Sequence, residues 1–388
     1  MIKPQRWDIF CAVVDNYGDA GVAWRLARQL VAEYRRDVRL FVDALPVLSR
    51  MAPEVDPAQQ EQLAQGVRIA RWPGASGPIP PADIADVVIE AFGCGLPPSY
   101  VDAMSAQPVP PLWINLEYLS AERWVDGCHG LVSRHPRLPL QRRFYFPGFT
   151  AQSGGLLREP DLLARRDAFR ADAGERAALW RSLGVTPPTP DARAVSLFSY
   201  ANRRLPPLLD AWADGDAPVC CIVPEGTSAG DIDRWTGGAV PHPGQTLARG
   251  RLSLVGVPFV AQDIYDRLLW ACDLNLVRGE DSFVRALWAA RPLTWQPYPQ
   301  DEDAERAKLD AFLEKYARGM PEATAATFRA WQHAWADPRG SDDAAGVLWD
   351  RFARELPALE AHARRWIAEL ATQRDLAASL VWTVEKRV

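Results

Sequence analysis

Asp15 and Asp19 lie in the run Asp15-Asn16-Tyr17-Gly18-Asp19-Ala20-Gly21, between an apolar stretch, Ile9–Val14, and an amphipathic one, Val22–Tyr34. The pattern reads as strand, loop, helix. Such a junction brings loop side chains and helix N–H groups to the carboxyl edge of a sheet, where α/β proteins bind ligands. Two carboxylates there can grip a cation through charge-assisted hydrogen bonds, and one can serve as a general base. The plainer reading is local: Asp19 caps the helix and Asp15 forms the turn.

A second constellation, Arg278-Gly279-Glu280-Asp281-Ser282, joins an apolar strand, Leu274–Val277, to a helix over Ser282–Ala290. Gly279 permits a tight turn, and the helix N-terminus offers unpaired N–H groups to an anion such as a diphosphate. Arg278 adds a permanent cation of bidentate geometry. Glu280 could bond sugar hydroxyls, and Asp281 a ribose, or both could merely favour the helix start. Phe198 and Tyr200, in Ser196-Leu197-Phe198-Ser199-Tyr200, share one face of a strand end and could stack on a nucleobase or simply enter the core. Gln262 could bond a base edge or remain in solvated loop.

These residues need elements to position them. Strands are expected at Ile9–Val14, Val38–Val42, Val87–Ala91, Leu112–Leu116 and Gly130–Val132, with helices at Val22–Tyr34 and from Pro97, and a charged helical stretch over Pro160–Leu183. Thr186-Pro187-Pro188-Thr189-Pro190 is the best linker, because proline punctuates and stiffens the chain. The rhythm then restarts, with strands at Ala194–Phe198, Val219–Val223, Leu252–Val255, Leu274–Val277 and Leu293–Gln296, and a mostly helical end from Glu302. Strands alternating with helices imply parallel sheets. The expected fold is α/β: two Rossmann-like domains facing across a cleft, as in GT-B glycosyltransferases, with a C-terminal helix crossing back. The domains are expected at 1–185, joined by about 366–388, and at 191–365. A dinucleotide dehydrogenase fits less well, because no GxGxxG follows the first strand.

The bulk composition excludes several classes. A chain of 388 residues that is 48% hydrophobic can bury two cores, and a formal charge of −5 does not suggest nucleic-acid or membrane affinity. No stretch reads as a signal peptide or approaches the ~20 apolar residues of a membrane span. The 6 cysteines form no CxxC pair and the 5 histidines no HxH or HxxxH pair, so reduced, buried thiols and no metal site are expected. Most of the 16 tryptophans should be core.

The segments VVDNYGDAGVAWRLARQL, FVDAL, INLEYLSAERW, FPGFT with GGLLRE, SLFSY, and LVRGEDSFVRALWA with PLTWQPYPQ together resemble the EarP family, bacterial protein-arginine rhamnosyltransferases that modify elongation factor P. The resemblance covers essentially the whole chain, although Ala20 replaces a larger aliphatic residue. It implies a GT-B fold and a cytoplasmic, metal-independent, inverting enzyme with no cofactor. The donor would be dTDP-β-L-rhamnose, held by the C-terminal domain. The acceptor would be one arginine on a loop tip of elongation factor P, met by the N-terminal domain, and the modified factor would rescue polyproline-stalled ribosomes. Asp15, Asp19 and Glu280 match the family's acids, with Asp19 the expected base, kept ionised by the helix end behind it. Phe198, Tyr200, Gln262, Arg278, Asp281 and Ser282 match its donor contacts. Gly279 and Glu280, together with Asn16, Tyr17, Gly18 and Gly21 of the first loop, are expected to line the donor site. Three other functions share parts of this pattern: a GT-B transferase with another acceptor, a nucleotide-sugar epimerase, and a binding protein without catalysis.

Overall fold

Apolar runs alternating with amphipathic ones fold into βα units around two separate sheets. The computed structural model describes residues 5–15, 17–72, 80–226, 228–299, 304–337 and 345–386. Asn16 therefore lies outside the described residues.

The chain divides into two units, residues 1–159 with 371–388, and residues 160–370. The first carries β1 (Arg6–Cys11), α1 (Tyr17–Tyr34), β2 (Asp37–Val42), α2 (Leu45–Met51), β3 (Glu61–Ala64), β4 (Val67–Arg71), β5 (Val87–Ala91), α3 (Pro98–Ser105), β6 (Leu112–Leu116), α4 (Trp124–Cys128), β7 (Val132–Arg134) and β8 (Gln141–Tyr145). Its sheet runs β3-β4-β2-β1-β5-β6-β8-β7. The inner strands are parallel; β3 and β7 add antiparallel edges. The chain winds outward from β1 through β2 and β4, then resumes on the other side at β5. The point where the winding reverses, between β1 and β5, is where α/β sheets open a crevice for ligands. The core is set by strand residues that point to both covered faces: Trp7, Ile9, Phe10 and Cys11 are fully buried, as a doubly covered parallel sheet requires. Phe10 pairs in register with Phe41 and stacks on it at 4.4 Å.

The second unit carries α5 (Leu162–Ala171), α6 (Ala173–Ser182), β9 (Arg193–Leu197), α7 (Leu205–Asp214), β10 (Val219–Pro224), α8 (Ala229–Thr236), β11 (Thr246–Arg249), β12 (Leu252–Val257), α9 (Gln262–Ala271), β13 (Leu274–Arg278), α10 (Asp281–Trp288), β14 (Leu293–Gln296), α11 (Ala304–Tyr316), α12 (Glu322–Ala336) and α13 (Ala345–Leu370). Its sheet, β11-β12-β10-β9-β13-β14, reverses between β9 and β13.

The division falls between Glu159 and Pro160, ahead of the proline run at 186–190. Hydrogen bonds explain this: α5 is tied to the second unit, where Arg166 donates to the Trp288 carbonyl at 2.7 Å and Arg170 to that of Trp270 at 3.2 Å. At the other end the chain rejoins the first unit at Ala371, and α14 (Leu376–Glu385) packs there beside α1. Arg158 donates to the Ala371 and Gln373 carbonyls, and buried Gln29 of α1 bonds both Arg158 and Asp375. Gly155, at φ +79°, closes this contact: a Cβ there would stand 2.3 Å from the Arg374 carbonyl oxygen.

All 6 cysteines are free thiols. Among the described residues no helix is long and apolar enough to cross a membrane, and no cluster of three or more His, Cys, Asp or Glu side chains could hold a metal ion.

Candidate active site

The first constellation sits at the reversal point of the first sheet. After β1 the chain turns, and α1 begins at Tyr17. Asp19, in the first turn of α1, reaches back so that its Oδ2 accepts the N–H groups of Val14 and Asp15, each at 2.8 Å. Gly18 donates its N–H to the Asp15 carbonyl at 2.7 Å. Asp43, after β2, accepts from Val13 at 2.9 Å. Asp19 is 2% exposed and Asp15 8%, so both carboxylates are held in place. Gly18 leaves room for one of them: a Cβ there would lie 2.5 Å from Asp15 Oδ2. Gly21 is buried in α1. The Tyr17 hydroxyl accepts from Arg50 at 2.8 Å.

Burial lifts the Asp19 carboxyl above its ordinary range, and Asp43 pushes the same way. The Asp15 and Val14 amides and a hydrogen bond from Tyr118 oppose this without cancelling it. Desolvation thus works against the helix end expected to keep Asp19 ionised, and it outweighs the hydrogen-bond donors. A carboxyl lifted toward the working pH is a better proton acceptor than an ordinary aspartate.

Tyr118 joins the site although its sequence context does not mark it. It follows β6, and its ring stacks on Phe92, after β5, at 4.6 Å and 19° between planes. Phe92 holds φ +59°, a left-handed conformation costing about 1–3 kcal/mol in a side-chain-bearing residue. Its N–H donates to the Leu116 carbonyl at 2.6 Å, and Glu90 holds the following turn through the Gly95 N–H at 3.0 Å. The carboxyl ends of β1, β5 and β6 thus meet through Asp19, Phe92 and Tyr118. The segment INLEYLSAERW contains Tyr118, but spacing alone assigns it no role.

The second constellation sits at the reversal point of the second sheet. β9 ends at Leu197, so Phe198 and Tyr200 lie beyond the strand instead of on one face of it. Arg278, last in β13, unites them: its guanidinium lies 4.7 Å from the Phe198 ring centre and 4.5 Å from that of Tyr200. Such cation–π contacts fix the orientation of the cation. Gly279 takes φ +60°, and its carbonyl accepts from Trp295 Nε1 at 2.7 Å. The helix begins at Asp281, one residue before the expected start, with Glu280 at the cap position. The Ser282 hydroxyl bonds the Arg278 carbonyl. Gln262 opens α9 instead of lying in solvated loop, is buried, and donates to Asp281 at 3.2 Å. One turn on, Arg285 of α10 meets Asp266 of α9 through both carboxylate oxygens, at 3.0 and 2.6 Å. The start of α10 is thereby clamped to α9. Two further residues join: Gln296 accepts the Tyr200 N–H at 3.0 Å, and Tyr298 meets the Tyr200 ring edge-on at 5.7 Å. Both lie in PLTWQPYPQ, where no residue type by itself indicated a contact.

Buried acids on one unit and a cation held over aromatic rings on the other suit a cationic acceptor and a nucleotide donor. The chain matches the family model for elongation factor P (EF-P) rhamnosyltransferase EarP over residues 7–385. A protein-arginine rhamnosyltransferase of Pseudomonas putida is 50% identical over 376 residues, which is 97% of this chain and 97% of that one. A solved structure concerned with EarP-mediated arginine glycosylation of translation elongation factor EF-P matches at TM-score 0.70 and 38% identity, covering 99% of each chain. The calicheamicin glycosyltransferase CalG4, 13% identical at TM-score 0.50 over 99% of each chain, shares the fold alone. The fold is therefore GT-B, and the chain belongs to the EarP family of elongation factor P rhamnosyltransferases.

Proposed function

We propose that this chain transfers L-rhamnose from dTDP-β-L-rhamnose to one arginine of elongation factor P in the cytoplasm, inverting the sugar carbon without a metal. The modified factor would then relieve ribosomes stalled at polyproline. The observation that carries this reading is the buried pair Asp15 and Asp19 on one loop, with burial lifting the Asp19 carboxyl.

The chemical difficulty lies in the acceptor. A guanidinium is almost always protonated and its lone pairs are delocalised, so it is a poor nucleophile. Asp15 holds it by charge-assisted hydrogen bonds and localises electron density on one nitrogen. That nitrogen attacks the anomeric carbon as the bond from that carbon to the diphosphate oxygen breaks. Asp19 takes the proton the nitrogen sheds, and dTDP leaves with the bonding electron pair. Inversion follows from the single in-line displacement.

On the donor side, negative charge grows on the leaving diphosphate. Arg278 and the N-terminal end of α10 lie at one sheet edge and supply positive potential there. Phe198 and Tyr200 hold Arg278 and offer ring surface to the thymine. Glu280 positions the sugar, and Gln262 with Asp281 shapes the nucleoside pocket.

Intact-protein mass spectrometry of elongation factor P after incubation with this protein and dTDP-β-L-rhamnose tests the reading. A gain of one deoxyhexose on a single arginine is expected. Donor consumption with the factor unmodified would overturn the acceptor assignment.

A further inference from the structure

We infer that the exposed β7 edge of the first unit is the docking surface for the protein acceptor, which adds an acidic strand edge to the sheet there. This rests on the acceptor being a folded protein, as proposed above.

Among the described residues β7 is the last strand of its sheet and pairs only with β8. Leu131 accepts the Phe144 N–H, and His135 donates to the Leu140 carbonyl. Antiparallel alternation then turns the N–H and C=O groups of Val132 and Arg134 outward. An open row of this kind is a template for another strand.

Apolar surface gathers beside it. Trp124, Leu131 and Val132 are 49%, 55% and 45% exposed, three of the 9 large apolar side chains exposed among the described residues. Scattered apolar residues are ordinary, but a cluster beside an open edge suggests an interface. The charge is also local. Residues 129–145 contain four arginines (134, 137, 142 and 143) and no acid, in a chain whose net charge is −5. Arg142 pairs with Glu90 at 3.4 Å, and Arg143 donates to the Gly130 carbonyl at 2.8 Å. Arg134 and Arg137 are exposed. A basic edge steers an acidic partner. Two copies of this chain paired edge to edge would set the same arginines against each other, which disfavours a second copy.

Residues 117–120 link the end of β8, the strand beside β7, to the acids. The Glu117 N–H donates to the Tyr145 carbonyl at 2.9 Å and the Ser120 N–H to that of Pro147 at 3.4 Å. Between those anchors lies Tyr118, which bonds Asp19. The Trp124 ring meets Phe146 edge-on at 5.2 Å. In the order β1-β5-β6-β8-β7 a partner strand stands five strand positions from β1, roughly 24 Å at about 4.8 Å each, so a loop of about eight extended residues from that strand carries its arginine to the acids.

Transfer kinetics on intact elongation factor P, with dTDP affinity measured by calorimetry, test the assignment. The Arg134→Glu/Arg137→Glu protein should raise KM for the acceptor protein by about tenfold, leaving kcat and dTDP affinity at wild-type values. Val132→Pro, which removes one outward N–H, should raise the same KM. Added salt should raise KM in the wild type more than in the charge-reversed protein. An unchanged acceptor KM in both variants overturns the docking surface while the proposed activity stands, as does altered self-association with KM unchanged. If the wild-type protein does not modify the factor at all, the activity reading fails and the docking surface fails with it.

Discussion

The two reversal points of this molecule are the same topological place put to opposite electrostatic use. Between β1 and β5 the loop carries Asp15 and Asp19, with Asp43 nearby, and burial raises the Asp19 carboxyl. Between β9 and β13 the loop carries Arg278, set over the Phe198 and Tyr200 rings. The topology is the same in both; a few residues at the first helical turn decide whether the loop presents acids or a cation. The means of fixing the loop differs too. In the first unit the acid is itself the fastener, since Asp19 holds the Val14 and Asp15 N–H groups. In the second, the fasteners are separate side chains: Gln262 with Asp281, and Asp266 with Arg285. Changes in the first loop should therefore couple chemistry to conformation, and changes in the second should divide them.

The largest expected effect comes from Asp19→Asn. It should lower turnover by roughly 10²–10³-fold while calorimetric dTDP affinity stays at the wild-type value. Gly18→Ala comes next. Its Cβ displaces Asp15, and a misplacement of about 1 Å costs about 10²-fold in rate, so kcat should fall while the melting temperature holds. Arg278→Ala should weaken dTDP binding by about 1.5–3 kcal/mol, the usual worth of a charged hydrogen bond. Arg278→Lys should not restore it, because an ammonium lacks the planar fork that both rings embrace. Equal losses of dTDP affinity in Asp19→Asn and Arg278→Ala would dissolve the contrast between the two loops.

The smallest effect concerns stability. Burial raises the folded-state pKa of Asp19 above its unfolded value. Its contribution is fully present below the unfolded value and is lost as pH rises through the folded one. Thermal melts should show Asp19→Asn gaining on the wild type as pH rises from acid to neutral. A constant difference across that range would show that burial does not raise this carboxyl.

Sequence patterning located most strands, both strand–loop–helix junctions and their charged residues, because hydrophobic period and loop composition are local signals. What it missed depends on three-dimensional neighbours. The edge strand β3 and the strand β8 next to the other edge lack a clear apolar run, because Glu61–Ala64 and Gln141–Tyr145 are short and polar. The unit boundary precedes the proline run because Arg166 and Arg170 bond carbonyls distant in sequence. Tyr118 and Phe92 became visible only once β5 and β6 were placed side by side, with Phe92 in a left-handed conformation that no residue type signals. The direction of the Asp19 shift required burial, which a loop sequence does not disclose.

The central claim, that Asp19 is the proton acceptor, is tested most directly by the pH dependence of single-turnover transfer to elongation factor P at saturating donor. The rate should fall toward acid, with an inflection above the ordinary aspartate value of about 3.9, and Asp19→Asn should give a slow, flat profile. An Asp19→Asn protein that kept both the wild-type rate and the same inflection would contradict it.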